Sequence, residues 1–476
     1  MNILYIASEA APFTKTGGLG EVIGALPQAV AGQKHQVRVM MPLYSAIPEE
    51  FRSKMRFVKY IYVPLAWRNL YCGLFELTRD GVTYYFLDNE YYFRRGDLYG
   101  SFDDGERFAF FSRAAVSMMT EIDWIPDVVH CNDWQTALVP IYMRVLYGDT
   151  EPYSAIKTVF TIHNIEYQGR FESSTLANVF GLPETLFSGG TMEFMGGVSL
   201  MKGAIELSDA ITTVSPTYAE ELKYGFYSKG LEGVINAHSS KITGILNGID
   251  TKMYDPASDS NIAVNYDVKS IEKKADNKRD LQRLLGLSEN PSTPIVAMVG
   301  RLAAHKGIDL VISRLDAMMD MDLQFIVLGR GEWHFEHLFS NMQHSYTGRL
   351  SANIAYNHTL AQKIYAGADI FLMPSQAEPC GLSQMIAMRY GTLPLVRETG
   401  GLKDTVVYDT SNPKSNGFSF ANYNADDMMH VLYEACNLYA SDKETWRKKQ
   451  TVGMTQDFAW KPSAKKYSDL YKTLMK

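Results

Sequence analysis

Short runs of wholly apolar residues alternate along the chain with longer stretches in which apolar positions recur every three or four residues. Asn2–Ala7, His35–Met41, Asp127–His130, Lys157–Ile162 and Ala210–Val214 read as buried strands, and Leu19–Val30 as the helix after the first. Strands apolar on both faces and separated by amphipathic helices predict a parallel sheet with right-handed crossovers. The stretch Phe57–Asp88 breaks this rhythm with aromatic and β-branched runs of no helical period, which predicts an antiparallel insertion. The composition then shifts. Asp255–Ser260 is rich in Pro, Asp and Ser, and Ser270–Arg283 is charged and helix-prone. A second strand–helix series follows, with Pro294–Val299, Gln324–Leu328, Ile370–Met373 and Thr392–Val396 as its strands and a helix opening near Asp309. The chain is thus expected to be α/β, with two doubly wound domains joined near Asn247–Asp250. Ligands of such sheets lie beyond the strand C-termini, so the expected active site is a cleft between the two.

The 476 residues suit two large domains or three of ordinary size. A net charge of −7 recommends neither nucleic acid nor an anionic membrane, so an anionic ligand must be met by a local group of cations. Cys72, Cys131, Cys380 and Cys436 lie far apart with no zinc spacing, as expected for a reducing cytosol. The apolar opening MNILYIASEA lacks a basic flank and carries Glu9, so it reads as a strand and not a leader. No apolar run approaches the ~18 residues of a membrane span. Cytoplasmic placement is the expectation, and the oligomeric state is left open.

Four segments could carry chemistry. Lys15–Gly20 (KTGGLG) follows the first strand and opens a helix, where glycine amides and a lysine would suit an anion; it reads equally as a flexible glycine turn. It matches neither the dinucleotide fingerprint nor a P-loop. Gly300–Gly307 (GRLAAHKG) brings Arg301 and Lys306 out of one strand-to-helix loop, a pair suited to a diphosphate. Ser375–Gln384 (SQAEPCGLSQ) follows another strand and aims Glu378 and the amides near Gly381 at a ligand, although a helix N-cap or first-turn acid would look the same. Thr399–Lys403 (TGGLK) repeats the glycine device. His163–Asn164 ends a strand, and Asp133 and Trp134 follow another; core packing and capping compete with a site role for each. Asp103–Asp104 reads as a surface turn, and the tyrosines of 84–99 as core with some placed to stack on sugars.

With these residues in view, the chain closely resembles the bacterial glycogen synthases and plant starch synthases that use ADP-glucose. The segments KTGGLGEVIGALP, HCNDWQTAL, TIHNIEYQG, TTVSPTYAEE, GILNGID, VGRLAAHKG, IYAGADIFLMPS, EPCGLSQ and YGTLPLVRETGGLKDTV carry the likeness over nearly the whole length. It implies a GT-B fold: a Rossmann-like acceptor-side domain over 1–246, a Rossmann-like donor-side domain over 247–458, and a final segment, 459–476, that returns to the first domain after a break at Pro462. It further implies transfer of glucose from ADP-glucose to the non-reducing 4-hydroxyl of an α-1,4-glucan such as glycogen, with retention and without metal or cofactor.

The roles implied by the resemblance fall on particular residues. Lys15, Arg301 and Lys306 would neutralise the diphosphate, with amide dipoles at Gly18, Cys380–Leu382 (around Gly381) and Thr399–Gly400. Glu378 would hold the glucose hydroxyls, and His163 would lie beneath the anomeric carbon. Asp133, Tyr99 and Asn164 would line the sugar and acceptor side, and Asn247 and Tyr356 the inner cleft and nucleotide. Three departures stand out: Glu21 where the family usually has Asp, Gln376-Ala377 before the EPCG run, and Ile386 where the wider GT-B group often has a second Glu. The alternatives are a UDP-sugar-dependent retaining transferase of the same fold and a catalytically silent glucan-binding regulator.

Overall fold

The computed structural model describes residues 1–409 and 411–476. Two compact units emerge, one of Met1–Gly248 with Trp460–Lys476 and the other of Ile249–Ala459. The strands of the first are β1 (Asn2–Ile6), β2 (Gln36–Pro42), β3 (Arg56–Leu65), β4 (Arg68–Arg79), β5 (Val82–Asp88), β6 (Val128–Asn132), β7 (Lys157–Ile162), β8 (Arg170–Glu172), β9 (Glu193–Phe194), β10 (Gly197–Ser199), β11 (Ala210–Thr213) and β12 (Ile242–Gly244). Nine of them form one sheet in the order β12-β11-β7-β6-β1-β2-β5-β4-β3, and β8, β10 and β9 form a small antiparallel sheet. From β12 to β5 all neighbours are parallel.

Residues 57–88 therefore do not form a separate insertion. β5 pairs parallel with β2, and β4 and β3 extend the same sheet antiparallel. The β4–β5 turn explains the switch of direction: Asp80 and Gly81 both have positive φ, as a two-residue hairpin of matching twist requires. One face of the β3–β4 hairpin buries Val63, Leu65, Cys72 and Leu74, beneath the helix Asp104–Met118.

The second unit holds β13 (Ile295–Val299), β14 (Gln324–Leu328), β15 (Leu350–Asn353), β16 (Ile370–Met373), β17 (Leu393–Arg397) and β18 (Phe418–Phe420). All are parallel, in the order β15-β14-β13-β16-β17-β18. Its core draws Val296, Phe325, Ile370 and Leu393 from the strands and Phe339 and Leu432 from the covering helices. Among the parallel strands of each sheet the order reverses between β1 and β6 in the first unit and between β13 and β16 in the second. Loops part there and leave a crevice at the strand C-termini.

The last helix, Trp460–Leu474, runs through Pro462, which sits in its first turn where a missing N–H removes no intrahelical bond; the expected break is absent. The helix is fastened within the first unit by a buried polar chain. Tyr471 Oη lies 2.7 Å from Tyr5 Oη and 2.7 Å from His130 Nδ1, and His130 Nε2 lies 2.5 Å from Thr161 Oγ1. Burial pushes His130 down to about 3, which keeps the imidazole neutral. Tyr471→Phe leaves two buried polar atoms short of a partner, and a loss of ~1–3 kcal/mol in denaturant unfolding is expected.

Candidate functional site

In the second unit the site is assembled at the reversal between β13 and β16. After β13 the chain passes Gly300 and Arg301, makes a single 3₁₀ turn over Ala304–Lys306, and enters the helix Ile308–Ser313 through Gly307. Gly307 has φ +73°, and a Cβ there would lie 2.0 Å from the carbonyl oxygen of Pro374, just past β16. Only glycine lets the two loops close on each other. Gln376 N donates to His305 O at 2.8 Å across the same seam.

That seam sets the central contact: Lys306 Nζ lies 2.6 Å from Glu378 Oε2. Ser375 Oγ donates to the same oxygen at 3.1 Å. Glu378 is only 7% exposed. It is neither a cap nor a first-turn acid, because the helix after it runs over Ser383–Arg389. Its backbone is clamped from the next strand: a Cβ on Gly400 would lie 2.0 Å from Glu378 O, and one on Gly401 2.1 Å from Cys380 O. Arg397, at the end of β17, donates from Nη1 to Gln376 O at 2.7 Å. Three neighbouring strands thus hold one buried carboxylate and one ammonium in register. Arg301 is exposed on the same loop as Lys306, Cys380 and Thr399 are buried, and Gly381 and Leu382 are partly covered. Tyr356 stands 81% exposed beyond β15.

In the first unit the reversal between β1 and β6 gathers a second group. Glu9, buried past the end of β1, accepts from Thr16 N at 2.5 Å and from Thr16 Oγ1 at 3.0 Å, fixing the KTGGLG loop. Burial raises the Glu9 carboxyl against these donors. The loop is a held structure and not a slack glycine turn: a Cβ on Gly20 would fall 2.5 Å from Lys15 Cβ, whereas Gly18 opens the helix Gly18–Ala31 with free space around it. Lys15 Nζ is paired with Glu21 Oε1 at 2.9 Å. The glutamate that departs from the family pattern therefore reaches the loop lysine.

Asp133 follows β6 with φ +56°, a strained value for a residue with a Cβ. It does not cap the short turn after it. Its Oδ1 instead accepts from His163 N at 2.8 Å and Asn164 N at 3.4 Å, joining the ends of β6 and β7. Loss of water outweighs these donors and pushes the Asp133 carboxyl up to about 7. The His163 ring is driven the other way, down to about 3, by burial. Asn132 directs its amide N–H groups to Ile6 O and His130 O, so its Oδ1 accepts from His163 Nε2 at 3.0 Å and sets the neutral tautomer. Tyr99 Oη lies 2.7 Å from Ser8 Oγ near Glu9 and Asp133, and burial raises it well above the ordinary phenol value. Asn247, past β12, keeps a buried Oδ1 with no partner among the described residues.

Because the folded Asp133 carboxyl sits above its unfolded value, ionising it opposes folding, from about pH 4 upward. Asp133→Asn is expected to raise the unfolding free energy at pH 8 by ~2–4 kcal/mol, with the gain vanishing below pH 4. Thermal melts of both proteins across that range check the sign.

A starch synthase catalytic domain model matches residues 2–237, and a group 1 glycosyl transferase model matches residues 286–449. A glycogen synthase of Bacillus cereus is 47% identical over 476 residues, covering 100% of both chains. The chain belongs to the glycogen and starch synthase family. A glycogen synthase of Clostridium perfringens is also 47% identical, covering 100% of this chain and 99% of that one. Among solved structures, the catalytic domain of starch synthase IV from Arabidopsis thaliana, bound to ADP and acarbose, superposes with a TM-score of 0.92 at 33% identity over 99% of both chains. Sucrose-phosphate synthase from Thermosynechococcus elongatus shares the fold at a TM-score of 0.62 and 18% identity, over 99% of this chain and 98% of that one. The fold is GT-B, and the protein is a glucosyltransferase of the glycogen and starch synthase kind.

Within each unit, the structure gathers most residues that the sequence singles out. Lys306, Glu378, Cys380–Leu382, Thr399 and Gly400 share one loop cluster of the second unit; Lys15 and Glu21 share another of the first, where Asp133, His163 and Asn164 are also joined. Sequence reasoning passed over Ser375, Asn132 and Glu9, which hold Glu378, His163 and the glycine loop respectively. The available signal was a polar residue at the end of a buried strand beside each motif.

Proposed function

We propose that this glucosyltransferase takes ADP-glucose as donor and extends the non-reducing 4-hydroxyl of an α-1,4-glucan, with retention and without a metal. The observation that carries the reading is the Lys306–Glu378 pair, with Arg301 on the same loop, fixed at the strand reversal of the second unit. Support for the nucleotide comes from the Arabidopsis relative, whose structure holds ADP and acarbose. Arg301 and Lys306 meet the diphosphate, Lys15 serves it as a third cation, and Glu378 orients the sugar hydroxyls. Lys306 keeps two N–H donors beyond its bond to Glu378.

As the anomeric C–O bond breaks, its electron pair goes to the phosphate oxygen and positive charge grows on the sugar ring. Cations fixed at the phosphate act on charge that exists only in the transition state. The acceptor oxygen attacks from the same face, and the departing phosphate takes its proton. Asp133, Tyr99, Asn164 and the backbone of His163 serve the sugar and acceptor, and Asn247 and Tyr356 the inner cleft and nucleotide. Four free cysteines suit the cytoplasm, where we place the reaction. Among the described residues, no group of three or more His, Cys, Asp or Glu is gathered to hold a metal ion, and no helix is long and apolar enough to cross a membrane.

Incubation of the purified protein with ADP-glucose or UDP-glucose, with and without glycogen, tests the reading. Primer-dependent incorporation preferring ADP-glucose is expected. A preference for UDP-glucose, or glycogen binding without transfer, would favour one of the two alternatives.

A further inference from the structure

Gln384 closes the EPCGLSQ run and lies wholly buried in the second unit, in the first turn of the helix Ser383–Arg389. Its Nε2 donates to Cys380 O at 3.2 Å, to Gly381 O at 2.9 Å and to Thr405 Oγ1 at 3.1 Å. Thr405 fixes the orientation of the amide. Its own hydroxyl hydrogen goes to Gly401 O at 2.6 Å, so toward Gln384 the Thr405 oxygen accepts and Nε2 must face it. Asn416 holds Thr405 in turn, donating from Nδ2 to Thr405 O at 3.0 Å. One amide thus ties the loop after β16 to the segment after β17, beside the backbone bonds from Gly401 N to Glu378 O at 3.3 Å and Pro379 O at 3.2 Å. Gly381 turns against the amide with φ +70°, and a Cβ there would lie 2.5 Å from Gln384 Oε1. That Oε1 is buried and meets no donor among the described residues. An unmatched buried acceptor opposes folding, so stability alone is a poor account of this side chain.

We infer that Gln384, held by Thr405, is a positioning residue for glucosyl transfer, which sets the path of Glu378–Leu382 and aims its amides at the donor's diphosphate. The inference rests on the reading that a nucleotide diphosphate lies at Arg301 and Lys306. In a trans peptide the C=O and N–H point in opposite directions. Drawing the carbonyls of Cys380 and Gly381 inward onto Gln384 therefore turns the N–H groups of Gly381 and Leu382 outward. Both residues are partly exposed whereas Gln384 is not, which puts the N–H side toward the open face of the loop. The same turn carries Glu378, whose backbone carbonyl accepts from Gly401 N and whose carboxylate meets Lys306 and Ser375. Wholly buried, Gln384 acts through the backbone of this loop. A displacement of ~1 Å at such a distance from the chemistry is enough to cost ~10²-fold in rate.

Steady-state kinetics and calorimetric titration with ADP, both on the full chain, test this with Gln384→Met, Thr405→Val and Thr405→Ser beside the wild type. Met fills much the same volume without the amide, Val keeps the shape of Thr without the hydroxyl, and Ser keeps the hydroxyl. Gln384→Met should lower kcat ~10²-fold and weaken the binding of ADP, which carries the charge of the leaving group, ~10-fold. Its KM for glycogen should be unchanged. Thr405→Val should move the same quantities in the same direction, and Thr405→Ser should stay near wild type. Wild-type kcat and ADP affinity in Gln384→Met would overturn the inference. So would a fall in rate matched by a fall in the folded fraction on melting, with ADP affinity per folded molecule unchanged, which would make the amide a brace of the fold. A wild type that binds UDP in place of ADP would count against the donor reading alone. The diphosphate is common to both nucleotides, and a weaker grip on UDP in Gln384→Met would still support the positioning role.

Discussion

Arg301→Gln and Lys306→Gln are each expected to slow glucosyl transfer from ADP-glucose by ~10²–10³-fold, about 3–4 kcal/mol of transition-state stabilisation. The reason is the timing of charge. Pyrophosphate in the bound donor already meets cations, but the full negative charge arrives only as the glycosidic C–O bond parts. The loss should therefore fall on kcat more than on KM. Steady-state kinetics at saturating glycogen separate the two. An effect confined to KM would make these side chains mere binders of the nucleotide.

Glu378→Gln should cut kcat by a further ~10²-fold or more while the protein stays folded. The amide keeps an acceptor oxygen for Lys306 and Ser375 but loses the charge that holds the ammonium and the sugar hydroxyls. Stability distinguishes this catalytic role from a structural one. Lys306→Gln strands the buried Glu378 carboxylate without its ammonium, and a destabilisation of ~1–2 kcal/mol is expected, reduced from that of a fully buried pair because Lys306 is partly exposed. Lys306→Gln/Glu378→Gln should recover most of that stability and none of the activity. Recovery of both together would show that the pair is a brace and nothing more.

The strands that build both sites were legible because they are short, apolar and bounded by loops. β7, β14 and β16 lie where the pattern puts them, at Lys157–Ile162, Gln324–Leu328 and Ile370–Met373. β12, β15 and β18 were missed: three or four residues each, they lie at the sheet ends, where less burial leaves less apolar signal. The hairpin at 56–79 was readable as antiparallel but not as part of the main sheet, because the pairing of β5 with β2 spans over forty residues and leaves no local mark. Site composition was legible in the same way; pairing was not. Lys306 and Glu378 are 72 residues apart and meet only because β13 and β16 are neighbours and Gly307 has no side chain. The positive φ of Asp133 and the grip of Glu9 on the glycine loop likewise belong to the tertiary structure. Pro462 shows the opposite error: a local rule read as a break fell in a first turn, where proline is harmless.

On the proposed mechanism, fixed side-chain cations carry the charge of the departing ADP diphosphate. Transfer of radiolabelled glucose from ADP-glucose into glycogen, measured with a chelator present for the wild type and for Arg301→Gln/Lys306→Gln, tests it most directly. A wild-type rate indifferent to the chelator and a loss of at least ~10³-fold in the double variant are expected. A wild-type rate that collapses with chelator and returns with magnesium, or a double variant that elongates glycogen at full speed, would contradict it.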